Sequence, residues 1–93
     1  MPQSTTVILT KFAEKQLKHL PQYIKEALRY WAESVEKDGI TVVRRLPGYH
    51  DEPLKGDRKG QRSVRLNKAY RAIYVETKIG IEITVIEVNK HDY

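Results

Sequence analysis

The strongest constraint on this chain is a change of hydrophobic period near its middle, from the repeat of a helix to the alternation of a strand. Phe12, Ala13, Gln16, Leu17 and Leu20 recur at helical spacing, with Lys11, Lys15 and Lys18 left for solvent. Thr10 is placed to cap that helix, and Pro21 punctuates it. The segment from Gln22 to Lys37 carries Tyr23, Ile24, Ala27, Leu28, Trp31 and Val35 at the same period, and Asp38-Gly39 ends it, with Gly39 as the cap residue. From Gln61 onward the pattern is that of strands, at Arg62 to Leu66, Tyr70 to Glu76 and Ile79 to Val88, with Asn67-Lys68 and Thr77-Lys78 where turns would fall.

Ahead of the helices, Thr5 to Leu9 is β-branched and apolar and predicts a short first strand. Between Ile40 and Gly60 the periodicity fails, and Pro47, Gly48, Pro53, Gly56 and Gly60 predict a long loop with room for one short strand or turn around Thr41 to Arg44. Val85, Ile86 and Val88 place apolar residues on both parities of the last strand, which predicts a central or two-sided position. The order strand, helix, helix and three strands predicts an α+β fold, β-α-α-β-β-β, with the helical hairpin packed on a mainly antiparallel sheet. A chain of 93 residues has room for one such domain, spanning 1-93.

Composition narrows the function. With no cysteine there is no disulfide framework and no thiolate metal site, and no apolar run reaches the roughly 20 residues that span a bilayer. A cytoplasmic protein without membrane contact is expected. The formal charge of +5 is unevenly placed, because Lys55, Arg58, Lys59, Arg62, Arg65, Lys68 and Arg71 face only Asp57 locally. Such a concentration of positive charge favours phosphates. The ending Asn89-Lys90-His91-Asp92-Tyr93 sets an imidazole, a carboxylate and a phenol directly behind an apolar strand, where a packed core has no use for them. Together the two segments point to RNA cleavage.

Leu54-Lys55-Gly56-Asp57-Arg58, the strand pair Ser63-Val64-Arg65-Leu66-Asn67 and Tyr70-Arg71-Ala72-Ile73-Tyr74, and the basic and imidazole residues after the last strand resemble the RelE/ParE superfamily of type II toxin–antitoxin toxins, most closely its HigB-like members. The resemblance covers nearly the whole chain. It implies a RelE-like two-layer fold and a ribosome-dependent endonuclease that cuts messenger RNA, with no metal and no cofactor. It also implies a cognate antitoxin, whose complex with the toxin would contact promoter DNA mainly through the antitoxin. Lys55 and Arg71 carry over most firmly by motif.

Metal-free cleavage uses the ribose 2′-hydroxyl as nucleophile and needs a proton acceptor, a proton donor and positive charge on the phosphorane. His91, with an ordinary pKa of roughly 6.5, suits proton exchange near neutrality. Lys55 could act as base if neighbouring cations depress its pKa, and otherwise clamps phosphate. Arg65 and Arg71 would stabilise the developing charge, and Tyr93 could stack on an unpaired base. The expected catalytic set is therefore Lys55, Arg65, Arg71, His91 and Tyr93. The expected RNA-binding set is Arg58, Lys59, Arg62, Lys68, Lys90 and Asp92.

Blander readings stand beside these. Arg65 and Arg71 could be cross-strand partners of Glu76 or Glu82. His50, beside Asp51 and Glu52, reads as a solvated loop histidine within reach of the same cleft, and three adjacent residues make a poor metal set. The competing function is a ParE-like inhibitor of DNA gyrase that acts by protein binding. The His91-Asp92-Tyr93 ending argues against it.

Overall fold

The structure, a computed structural model, describes residues 6–88. Its elements are β1 (Thr6–Leu9), α1 (Lys11–Lys18), α2 (Gln22–Asp38), α3 (Ile40–Val43), β2 (Glu52–Pro53), β3 (Arg62–Arg65), β4 (Tyr70–Thr77) and β5 (Gly80–Val88), with 3-10 turns at Pro47–Tyr49 and Gly56–Arg58. The sheet order is β1-β5-β4-β3-β2, with β1 parallel to β5 and every other pair antiparallel. This is the expected α+β layering, with the helical hairpin on a mainly antiparallel sheet.

The two helices form as their period predicts. Thr10 caps α1 by accepting the Ala13 N–H at 3.1 Å. Its hydroxyl also donates to the Thr84 carbonyl at 2.9 Å, which ties the start of α1 to β5. Beyond the end of β1, the edge of β5 would expose unpaired main-chain groups. Gln16 meets them with its side-chain amide, donating to the Ile86 carbonyl and accepting the Ile86 N–H, both at 2.7 Å. An amide side chain thus continues the ladder where the strand stops.

Ile24, Leu28, Trp31 and Val35 form the buried stripe of α2. With Ala13 and Val43, the Leu28, Trp31 and Val35 side chains pack on Val64, Ala72, Tyr74, Ile81, Ile83 and Ile86 from the sheet. The β-branched run Ile40-Thr41-Val42-Val43 is a helical turn rather than a strand. Burial of Val43 under α2 outweighs its strand propensity, and Gly39, at φ +90°, allows the sharp change of direction. β2, only two residues long, was not expected. Pro53 lacks an N–H, which suits the sheet edge it occupies.

β5 lies inside the sheet between β1 and β4, as expected, and its register carries one irregularity. Tyr74 pairs with Ile83 but Ile73 pairs with Val85, so Thr84 is an extra residue, a bulge. Ile81 and Ile83 face the helices before the bulge, and Ile86 faces them after it. Val85, opposite Ile73, faces away from the helices, so after the bulge β5 carries apolar residues on both faces of the sheet. No helix among the described residues is long and apolar enough to cross a membrane.

Candidate functional site

Side chains alternate across a sheet, so the register assigns the basic strand pair to two faces. Val64 and Ala72 pair within the core, which turns Ser63, Arg65, Arg71 and Ile73 to the face away from the helices. There a cleft of about 200 Å³ is lined by His50, Glu52, Ser63, Arg65, Asn67, Tyr70 and Arg71. Ser63 and its partner Ile73 are both buried on this face. Beside them Arg65 is exposed and the Arg71 side chain is 39% exposed, so both cations face the solvent of the cleft.

Arg65 and Arg71 are direct partners across β3 and β4. Two like charges in that position repel, and one of them is relieved. Arg71 donates to Glu87 Oε1 through Nη2 at 2.9 Å and Nε at 3.2 Å. Arg58, from the 3-10 turn, donates to Glu87 Oε2 at 2.6 Å. The hydrogen bond from Arg58, assisted by Arg71, holds the Glu87 carboxyl below its ordinary pKa against the opposing effect of partial burial. Its bond to Glu87 in turn raises Arg58. Arg65 makes no ion pair among the described residues and is exposed.

The bulge creates this arrangement. In an unbroken hairpin register, Arg71 would face Ile86; the extra residue at Thr84 advances β5 and brings Glu87 opposite Arg71. The Thr84 hydroxyl donates to the Ile73 carbonyl at 3.2 Å, so the bulge is pinned from both sides, by β4 and by Thr10. The partners expected for the arginines were Glu76 or Glu82. Glu76 instead bonds Arg44, and Arg71 takes Glu87.

The remaining basic residues divide. Lys55 caps the 3-10 turn that carries Arg58, and both Lys55 and Lys59 are exposed. Lys68 is exposed in the turn between β3 and β4, where the Asn67 side chain accepts the Ala69 and Tyr70 N–H groups at 2.8 and 3.0 Å. Arg62 is not brought to the cleft. It pairs with Tyr74 on the core side of the sheet, and its Nε donates to Asp51 at 2.6 Å, so its guanidinium already serves a buried carboxylate. Lys90, His91, Asp92 and Tyr93 lie outside the described residues.

His50 and Glu52 line the cleft, although neither is in the site sets expected from the sequence. Around Asp51 the chain alternates: His50 and Glu52 line the cleft, while Asp51 turns inward to Tyr74 and Arg62. His50 adopts φ +45°, a left-handed conformation that costs a residue with a Cβ roughly 1–2 kcal/mol. The signal was a polar triplet flanked by loop and strand, in which alternate residues share a face. Since Asp51 points away from its two neighbours, the triplet does not converge on one point. No group of three His, Cys, Asp or Glu that could hold a metal ion occurs among the described residues.

No protein-family model matches the chain, and no curated protein matches it by sequence. Solved structures do match its fold. The archaeal RelE–RelB complex from Pyrococcus horikoshii OT3 aligns with a TM-score of 0.75 at 20% identity, covering 97% of this chain and 100% of the matched one. The toxin–antitoxin complex RelBE2 from Mycobacterium tuberculosis aligns with a TM-score of 0.68 at 23% identity, covering 91% and 98%. The YoeB–YefM complex from Staphylococcus aureus gives 0.70 at 17% identity, covering 96% and 98%. In its helical hairpin, its five-stranded sheet and the course of its backbone, the chain has the RelE/ParE-like toxin fold of type II toxin–antitoxin systems.

Proposed function

We propose that this protein is the toxin of a type II toxin–antitoxin system and a ribosome-dependent endoribonuclease that cuts messenger RNA without a metal. The observation that carries this reading is the pairing of Arg65 with Arg71 across the floor of a cleft that also holds a carboxylate, Glu52, and an imidazole, His50. A phosphodiester drawn into the cleft meets two guanidiniums on one side and groups able to exchange protons on the other. That is the minimum set for attack by the adjacent 2′-hydroxyl.

In this mechanism Arg71, fixed by Glu87, and Arg65 hydrogen-bond the non-bridging oxygens and strengthen those bonds as charge accumulates on the phosphorane. Glu52 accepts the 2′-hydroxyl proton, directly or through His50. The oxygen–phosphorus bond to the ribose forms as the bond to the 5′-oxygen breaks, and His91 supplies the proton to that leaving oxygen. Lys55 and Arg58, on the 3-10 turn, hold the flanking phosphate. Tyr93 stacks on a neighbouring base. Lys59, Lys68, Lys90 and Asp92 extend contact along the strand and to the ribosome. Arg62 is left out of the RNA-binding set because Asp51 engages it on the other face.

The cognate antitoxin would be an acidic segment that neutralises the same cations, consistent with the antitoxin complexes among the fold's relatives. Promoter DNA would be reached only through that complex, and the chain would act in the cytoplasm.

Expression of the wild-type chain in a growing bacterium, with transcripts mapped by primer extension, tests the reading. Cuts at fixed codon positions that depend on translation support it. Growth arrest with intact transcripts favours a protein target such as gyrase.

A further inference from the structure

We infer that Asp51 is a positioning residue, whose buried carboxylate, clamped between the Tyr74 hydroxyl and the Arg62 guanidinium, holds His50 and Glu52 at the rim of the cationic cleft. The inference rests on the nuclease reading of that cleft for its catalytic consequence, though not for its geometry.

The Asp51 side chain is 0% exposed. One of its oxygens accepts from Arg62 Nε at 2.6 Å and the other accepts from the Tyr74 hydroxyl at 2.5 Å, while Arg44 Nε stands 3.8 Å away. Arg44 also donates to the Tyr74 hydroxyl at 3.3 Å and pairs with Glu76. Asp51 is the buried member, while the Arg44, Arg62 and Glu76 side chains are 26%, 24% and 50% exposed, so two guanidiniums reach in from the surface to balance the charge that Asp51 carries out of water. Burial and then the bond to Asp51 raise the Tyr74 hydroxyl far above its ordinary pKa, against the opposing pull of Arg44, so it remains a donor. Burial works against the Arg44 charge, and its bonds to Glu76 and Tyr74 outweigh that effect.

A buried carboxylate paired in this way adds little to stability over an apolar group of the same size, so its value lies in direction. The segment it anchors has few other anchors. β2 is two residues long, sits at the sheet edge and contains a proline that cannot donate to the ladder. His50 just before it is held in a left-handed conformation that a free loop would abandon. Asp51 is the one side chain of the triplet that reaches the core, and through Tyr74 it reaches a ring packed on Trp31 with centroids 5.4 Å apart. Fixing residue 51 from the core side fixes the direction of residues 50 and 52 on the cleft side. An error of about 1 Å in such groups can reduce a rate by roughly a hundredfold.

The test compares wild type, Asp51→Ala and Tyr74→Phe by single-turnover cleavage on translating ribosomes and by backbone and His-ring NMR of each free protein. Tyr74→Phe keeps the ring packing and remains informative where Asp51→Ala does not fold. Expected is a fall in maximal rate of at least about tenfold, with the half-saturating toxin concentration within about twofold of wild type. His50 and Glu52 signals should shift or broaden, while those of β4 and β5 away from the substitution hold. Arg62→Lys should retain more activity than Arg62→Ala. Unchanged His50 and Glu52 signals in the variants overturn the inference, as does a rate that falls only in proportion to the folded fraction. Failure of the wild type to cut overturns the nuclease reading alone, and the NMR comparison then decides the clamp by itself.

Discussion

Glu87 stands directly opposite Arg71 across β4 and β5 and accepts both its Nη2 and Nε hydrogens on one oxygen, at 2.9 and 3.2 Å. The relationship exists because Thr84 is an extra residue in β5. It fixes the guanidinium that the proposed mechanism uses, and it leaves a negative charge where a phosphate would approach.

Those two effects oppose each other, and Glu87→Gln separates them. The neutral amide removes repulsion of the substrate but holds Arg71 less firmly. RNA should bind the free variant more tightly, while maximal cleavage falls by roughly tenfold. Titration of binding beside single-turnover rates checks both directions; weaker binding with an unchanged rate would show that the Glu87–Arg71 pair does not orient the site.

The same carboxylate makes stability depend on pH. Its folded pKa lies below its unfolded value, so its contribution is fully present above the unfolded pKa of about 4.3 and is lost as pH falls through the folded pKa. Urea unfolding of wild type and Glu87→Gln should therefore differ at neutral pH and converge in strong acid. A gap that widens on acidification would contradict the assigned direction.

Gly80 is the partner of Thr6 where β1 runs beside β5. A Cβ there would lie 2.2 Å from the Thr6 carbonyl oxygen, and the contact is with main chain that cannot swing aside. Gly80→Ala is expected to destabilise the fold by about 1–3 kcal/mol. Thermal unfolding should show a fall of roughly 5 °C or more. Gly48→Ala, at a position with nothing within 4 Å of an added Cβ, provides the control.

Much of this was legible in the sequence because the periods of Phe12 to Val35 and of Arg62 to Val88 are clear, and because Thr10, Pro21 and Gly39 mark the boundaries where the structure has them. What was not legible depends on contacts distant in sequence. Val43 forms part of a helical turn because α2 covers it, which its own propensity does not predict. The bulge at Thr84 leaves no mark in a one-dimensional pattern, and only the partner register shows it. For the same reason Glu87 went unnoticed: counting back from the β4–β5 turn without the bulge puts Ile86 opposite Arg71. Arg65 and Arg71 were singled out by local charge and by the strand motifs that carry the family resemblance, and they do meet. Arg62 has the same charge but the opposite parity, and the strand turns it to Asp51.

The central claim is tested most directly by mapping messenger RNA ends on translating ribosomes, with purified wild-type protein beside Arg71→Ala, Arg65→Ala and His91→Ala. The account predicts cuts at fixed codon positions for wild type, reduced by about a hundredfold or more in each arginine variant, with their thermal midpoints near that of wild type. Intact transcripts with wild type, or cuts that persist undiminished in both arginine variants, would contradict it.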